Sequence, residues 1–272
     1  MKNQRLTLLL CILSFSCATN PFTGKKTMAF MPNSQLLPMA FAEYDKFLSE
    51  NKVIKETSDA EMIARVGQRI SVAAERWLDA NNHQGYLKDY KWEYNLVEDE
   101  TVNAWCMPGG KIVFYTGILP VAKNEAGIAA IMGHEVAHAL ANHGQQRMSA
   151  GMIQQGVGAG VAIATKDKTK SEQDLWMQAF AVGSSVGGML PFSRSHETEA
   201  DEIGLYLTAI AGYNPDEASL LWERMRANSE GKSSPEFLST HPSNESRISN
   251  LRALAGKAKD EARKFGVTTF RP

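Results

Sequence analysis

The stretch that most constrains this chain is NEAGIAAIMGHEVAHALAN, residues 124–142. Asn124 is a helix-capping residue, and Ile128, Met132, Val136 and Ala139 recur at three- and four-residue spacing. The pattern predicts a helix from Asn124 to Asn142, stopped at Gly144, with one arc in the core. Its second half carries His134, Glu135 and His138. Helical residues four apart differ by only about 40° around the axis, so the two histidines project side by side and offer two nitrogens to one ion. Glu135 lies beside them, within reach of a water on that ion. Any fold for this chain must bury this helix and still furnish a further ligand for its histidines.

A metal site that keeps one position open for chemistry takes three protein ligands. A histidine six residues beyond His138 is not available, because residue 144 is Gly and the nearby histidine is His143. The segment SRSHETEADEIG, 193–204, offers carboxylates instead. Glu197 is preferred to Glu199, which points elsewhere around the helix. Glu197 opens the helix of that segment, and Asp201 follows at i+4 on the same face. There Asp201 can accept the outer ring N–H of a ligand histidine and fix its tautomer.

The remaining pattern supplies scaffold. Ser34–Asn51 and Ser58–Asn81 read as helices, the second with Ile63, Val66, Ile70, Ala73, Ala74 and Trp77 on one face. Lys91–Glu98 and Lys111–Thr116 read as strands, with the turn-prone Pro108-Gly109-Gly110 between them. Gly151–Pro191 is rich in Gly and Ala, with a charged break at Lys166–Glu172. Each apolar piece falls short of the roughly 20 residues that span a bilayer, which favours two packed or lid-forming helices, with a membrane hairpin as the alternative. Ser195–Ala211 is a further helix ended by Gly212, Asn214-Pro215-Asp216-Glu217 opens another, and the last starts near Ser243 and runs to Phe265. The expected class is α+β, mostly helical, with a small β-sheet.

With 272 residues, 43% hydrophobic and 22% charged, the chain can bury a substantial core. A net charge of -1 and the lack of a Lys/Arg run exclude a phosphate-binding stripe, so no nucleic-acid partner is expected. Lys2 and Arg5 precede an apolar run from Leu6 to Phe15, the layout of an export signal over residues 1–16. Ser14-Phe15-Ser16-Cys17 resembles a bacterial lipobox, although Ser14 stands where Leu is usual. A lipid anchor at Cys17 is expected, with a plain secreted or signal-anchored protein as the alternative, then a tether over 17–33 containing Pro21, Gly24 and Pro32, and a catalytic domain over 34–272. The location expected from this pattern is the bacterial cell envelope, membrane-anchored and facing the periplasm. Of the three cysteines, Cys11 lies in the apolar run and Cys106 has no intrachain partner once processing has occurred.

Over Ser58–Leu254 the chain resembles the zinc metallopeptidases that include HtpX heat-shock proteases, CaaX prenyl endopeptidases and mitochondrial Oma-type proteases. The resemblance rests on HEVAH at 134–138, the ExxxD pattern from Glu197 to Asp201, VNAWCMPGGKIVFYTG from Val102 and STHPSNESRI from Ser239. It implies a zincin-type metallopeptidase domain, core 58–254, whose small sheet borders a zinc cleft. One Zn2+ per chain is then held by His134, His138 and Glu197, with Glu135 as catalytic base. The envelope, Oma-like branch fits better than the integral-membrane branches, because long hydrophobic spans are missing. Asn103-Ala104 resembles the start of the strand that, in gluzincins, pairs with the backbone of a protein or peptide substrate. Cys106 stands where the family has a plain apolar residue and reads as a small buried hydrophobe.

Two histidines complete the candidate set. His196, directly before Glu197, is a candidate catalytic donor to a developing oxyanion. His241 precedes Pro242 in a loop that the family places near the metal. It is a candidate regulatory fourth ligand, or else a cleft-bordering donor or loop anchor. The expected function is zinc-dependent cleavage of peptide bonds in cell-envelope proteins, in quality control. The alternatives are an envelope assembly factor or chaperone whose zinc is structural, closed by four protein ligands, and a zinc hydrolase acting on a non-peptide bond.

Overall fold

The computed structural model describes residues 17–229, 236–242 and 244–272. The export signal expected over 1–16 and the expected helix start at Ser243 lie outside the described residues. In chain order, β1 (Cys17–Thr19) and β2 (Lys26–Met28) precede α1 (Asn33–Glu50), β3 (Val53–Ile54) and α2 (Ser58–Ala80). Then come β4 (Glu93–Val97), β5 (Ala104–Met107), β6 (Lys111–Tyr115), the short α3 (Leu119–Ala122), α4 (Glu125–Leu140), α5 (His143–Ala164) and α6 (Lys170–Ser184). A π-turn, Ser185–Met189, leads into α7 (Leu190–Ile210), followed by α8 (Glu217–Ser229), α9 (Glu236–Thr240) and α10 (Glu245–Lys264). The residues group into two compact units, one made of the described residues up to Leu36 with Asn142–Glu197, the other of Leu37–Ala141 with Thr198–Pro272.

The larger unit holds the sheet and most of the helices. Thr57 caps α2, its hydroxyl accepting from the Ala60 N–H at 3.2 Å, and the buried face carries Ile63, Val66, Ile70, Ala73, Ala74 and Trp77 as the periodicity predicts. The sheet runs β3-β4-β6-β5. The two expected strands, β4 and β6, pair in parallel with Glu93 opposite Lys111, and β5 pairs antiparallel to β6 with Ala104 opposite Phe114. Pro108-Gly109-Gly110 therefore turns β5 into β6 rather than joining β4 to β6. Both glycines take positive φ there, 86° and 85°, a conformation that costs a residue with a Cβ.

In the smaller unit the expected tether carries a hairpin, β1 paired with β2. Its turn is closed by the Asn20 N–H donating to the Lys25 carbonyl at 2.9 Å, with Gly24 at φ 68°. The segment after β2 is tied to α5: the Phe30 N–H donates to Ser149 Oγ at 3.1 Å, and the Gln145 amide donates to the Met31 carbonyl. Two helices occupy the Gly- and Ala-rich region as expected, but α5 starts at His143, so Gly144 lies inside it. The break after α4 is made by Asn142, left-handed at φ 57°, a conformation asparagine tolerates. α7 starts at Leu190, because the π-turn hands the chain on from α6 and Pro191 is tolerated in a first turn. Glu197 accordingly sits inside α7 and does not open it. Among the described residues no helix is long and apolar enough to cross a membrane.

Candidate metal centre

Two glycines let the site form. α4 is capped by Asn124, whose side chain accepts from the Gly127 N–H at 2.8 Å, and it crosses α7 where Gly133 meets Gly204. A Cβ at Gly133 would stand 2.6 Å from the Gly204 carbonyl oxygen, and one at Gly204 would stand 2.8 Å from the His134 nitrogen. The Thr208 hydroxyl lies 3.1 Å from the Ala129 carbonyl, fixing α7 along α4. This contact of backbones brings His134 to Asp201, one turn before Gly204.

Four buried residues, His134, His138, Glu197 and His241, each offer one ligand atom, and these atoms all lie within 4.8 Å of one another. His134 Nε2 is 3.1 Å from His138 Nε2 and 3.2 Å from His241 Nδ1. Nitrogens bound to a tetrahedral zinc at about 2.0–2.1 Å are separated by about 3.3–3.4 Å, so the spacing suits that ion. Glu197 rides on α7 one turn before Asp201. Glu135 is buried on α4, with His241 Nε2 3.4 Å from its Oε1.

Behind His134 stands a buried ion pair. His134 Nδ1 lies 3.0 Å from Asp201 Oδ1. Arg247 grips the same carboxylate with both ends of its fork, Nε donating to Oδ2 at 2.8 Å and Nη2 to Oδ1 at 2.7 Å. Burial works against ionisation of Asp201, but the Arg247 charge and the His134 ring outweigh it and hold the carboxyl below its ordinary range. The guanidinium lies 3.7 Å from the Trp222 ring centroid, and its Nη1 donates to the Pro242 carbonyl at 3.1 Å. Phe237 packs between Trp222 and His241, its ring centroid 5.5 Å from one and 4.7 Å from the other.

β5 is an edge strand of the sheet among the described residues, and it packs against α4. Asn103, just before it, donates through its side-chain amide to Glu236 Oε1 at 3.1 Å, and the Phe237 N–H donates to the Val102 carbonyl at 3.2 Å. The strand thus anchors α9, the helix that presents His241. Cys106 is partly buried, and its thiol is pushed well above the ordinary value, by burial first and by the Glu135 charge second. His196 is not among the four grouped residues: it stacks on His143 with ring centroids 4.1 Å apart, and its Nε2 is 3.2 Å from Gln146 Oε1.

The sequence reading passed over Gly133, Gly204, Trp222 and Arg247. Signals existed for three of them, since Gly133 directly precedes HEVAH, Gly204 follows Asp201 by three residues, both inside helical patterns where glycine is costly, and Arg247 lies within STHPSNESRI.

Imidazoles and a carboxylate converging from two crossed helices, beside a small mixed sheet, define a zincin-type metallopeptidase domain. The match to peptidase family M48 covers residues 65–255, and the chain belongs to that family. Mitochondrial metalloendopeptidase OMA1 of Schizosaccharomyces pombe is 40% identical over 175 residues, 64% of this chain and 49% of that protein. Its counterpart in Saccharomyces cerevisiae is 34% identical over 189 residues, 67% of this chain and 52% of that protein. The beta-barrel assembly-enhancing protease of Escherichia coli is 26% identical over 177 residues, 62% of this chain and 35% of that protein. The chain spans about half the length of the OMA1 relatives it matches. M48 metallopeptidases use zinc, and the four grouped side chains are a donor set zinc favours.

Proposed function

We propose that this chain is a zinc-dependent endopeptidase that cleaves cell-envelope proteins in quality control. The observation that carries the reading is the buried group His134, His138, Glu197 and His241, with Glu135 buried on the same helix as the first two and 3.4 Å from His241, and that helix packed against the edge strand β5. Zinc, held by those two histidines and Glu197, supplies Lewis acidity. Glu135 takes a proton from the attacking water and returns it to the departing amine. Asp201 keeps the His134 Nδ1 protonated, so that Nε2 faces the ligand position. From Ala104 onward β5 offers backbone groups to an extended peptide, which binds by main-chain pairing. The envelope setting is supported by the export-signal pattern over 1–16, the lipobox-like Cys17 and the name of the Escherichia coli relative, while the OMA1 relatives are mitochondrial. Failure of a fatty-acid probe to label the wild type in cells would remove lipidation at Cys17 and leave the peptidase reading intact.

The test of the peptidase reading is cleavage of casein by the purified chain, with and without a zinc chelator. Cleavage should stop with the chelator and return with zinc. Glu135→Gln should keep its zinc and lose roughly 10²–10⁴-fold in turnover, the usual contribution of a general base. Undiminished cleavage by zinc-loaded Glu135→Gln would remove that role. One observation favours a second reading, an assembly factor with structural zinc: His241 adds a fourth protein ligand, enough to close the shell. A zinc-loaded wild type that cleaves neither casein nor unfolded envelope proteins would select it.

A further inference from the structure

Eleven of the fourteen exposed large hydrophobic side chains among the described residues lie between Met148 and Leu190, on α5, α6 and their continuation into α7. Exposure reaches 68% at Ile163, 66% at Leu175 and 64% at Val182. Leu175, Val182, Val186 and Leu190 follow one another at spacings that make a single helical stripe. The inner faces of α5 and α6 are spent on each other. A Cβ at Gly158 would stand 3.1 Å from the Phe180 ring, and the Gln154 amide donates to Ser184 Oγ at 2.8 Å.

Charge is kept out of the same region. Neither 148–165 nor 175–193 contains an Asp, Glu, Lys or Arg, whereas Arg147, Lys166, Asp174 and Arg194 stand at the four borders. Between the two runs, Lys166, Lys168 and Lys170 are balanced by Asp167, Glu172 and Asp174. Whatever covers these helices is therefore recruited by apolar contact and not by charge.

We propose that the α5–α6 hairpin docks on a lipid bilayer, lying in the interface with its exposed side chains among the acyl chains. Two observations single out a bilayer. The helices are not long and apolar enough to cross, yet each carries a charge-free run of about 27 Å at 1.5 Å per residue with large apolar side chains exposed along it, so burying that surface in a bilayer removes no charge from water. The same compact unit contains the β1–β2 hairpin, tied to α5 through Phe30 and Ser149, and β1 directly follows the apolar run from Leu6 to Phe15. One unit thus holds both the apolar hairpin and the strand that follows the export-signal run.

The test uses the full chain carrying Cys17→Ala, so that no acyl group contributes, with phosphatidylcholine vesicles that contain or lack brominated lipid. Bromine should quench Trp176 emission, and Trp176→Phe should lose that quenching. Leu175→Asp and Val182→Asp should each weaken vesicle partition about tenfold or more, from the apolar surface no longer buried. Added phosphatidylglycerol should change little, since the charges at the turn cancel. Far-UV circular dichroism checks folding, and the bromine measurement on Trp176 stands without either aspartate variant. Unquenched Trp176 would overturn the proposal, as would partition unchanged in the double aspartate variant. So would a vesicle-indifferent dimer that Leu175→Asp dissociates, which would make a second copy the occupant.

Discussion

Arg247 joins three parts of the site: it is bidentate on Asp201, flat on Trp222, and bonded to the carbonyl of Pro242 directly after His241. Removing it leaves the Asp201 charge buried without its fork, and such losses cost about 3–5 kcal/mol. Arg247→Ala should therefore lower stability to urea by that order and weaken zinc affinity roughly 10–100-fold, the usual effect of losing the partner that orients a metal-bound histidine. Arg247→Lys keeps the charge without the fork and should fall between. Unchanged zinc titration in Arg247→Ala would break the link from Arg247 through Asp201 to His134. His241 carries a separate prediction. Its Nδ1 sits 3.2 Å from His134 Nε2 and its Nε2 3.4 Å from Glu135 Oε1, and as the proposed fourth ligand it would displace water. His241→Ala should raise basal casein cleavage at full zinc loading. A fall would make His241 a transition-state donor instead.

At the scale of elements, the crossing of α4 and α7 sets the metal geometry, and it depends on absent side chains. Gly204→Ala places a Cβ 2.8 Å from the His134 nitrogen, against backbone that cannot swing away. The helices must part, at a cost of about 1–3 kcal/mol for overpacking, with weaker zinc binding. Gly144→Ala, inside α5 with nothing within 4 Å of its Cβ, should be neutral or stabilising and serves as the control. Equal melting temperatures and zinc content in both variants would show that the crossing has slack. The same elements show what sequence can reveal. α2 and α4 were legible because periodicity and caps are local properties. β5 has four residues and β3 two, too short for alternation to register, and no local signal says that β4 pairs with β6 in parallel. β5 was reached only through family resemblance at Asn103-Ala104.

Across the whole molecule, the ligand types were legible in HEVAH and ExxxD, but their surroundings were not, because those come from distant parts of the chain. His241 lies 107 residues from His134, and Arg247 lies 113 from it. Phe30 meets Ser149 across 119 residues. Such pairs leave no trace in local pattern. A zinc held by His134, His138 and Glu197 would draw on α4 and α7 together, so its binding free energy would be added to that of folding. At free zinc one hundred times the dissociation constant, binding to the folded state adds about 2.7 kcal/mol. For a chain of this size that corresponds to a melting temperature raised by roughly 5–10 °C over the chelator-treated protein. Calorimetry with and without chelator measures it, and two variants identify its source. Glu135→Gln, which removes the proposed base and no ligand, should show the full rise. His138→Ala, which removes a ligand, should show little or none. A full rise in His138→Ala would place the zinc elsewhere, and the catalytic assignment of Glu135 would fall with it.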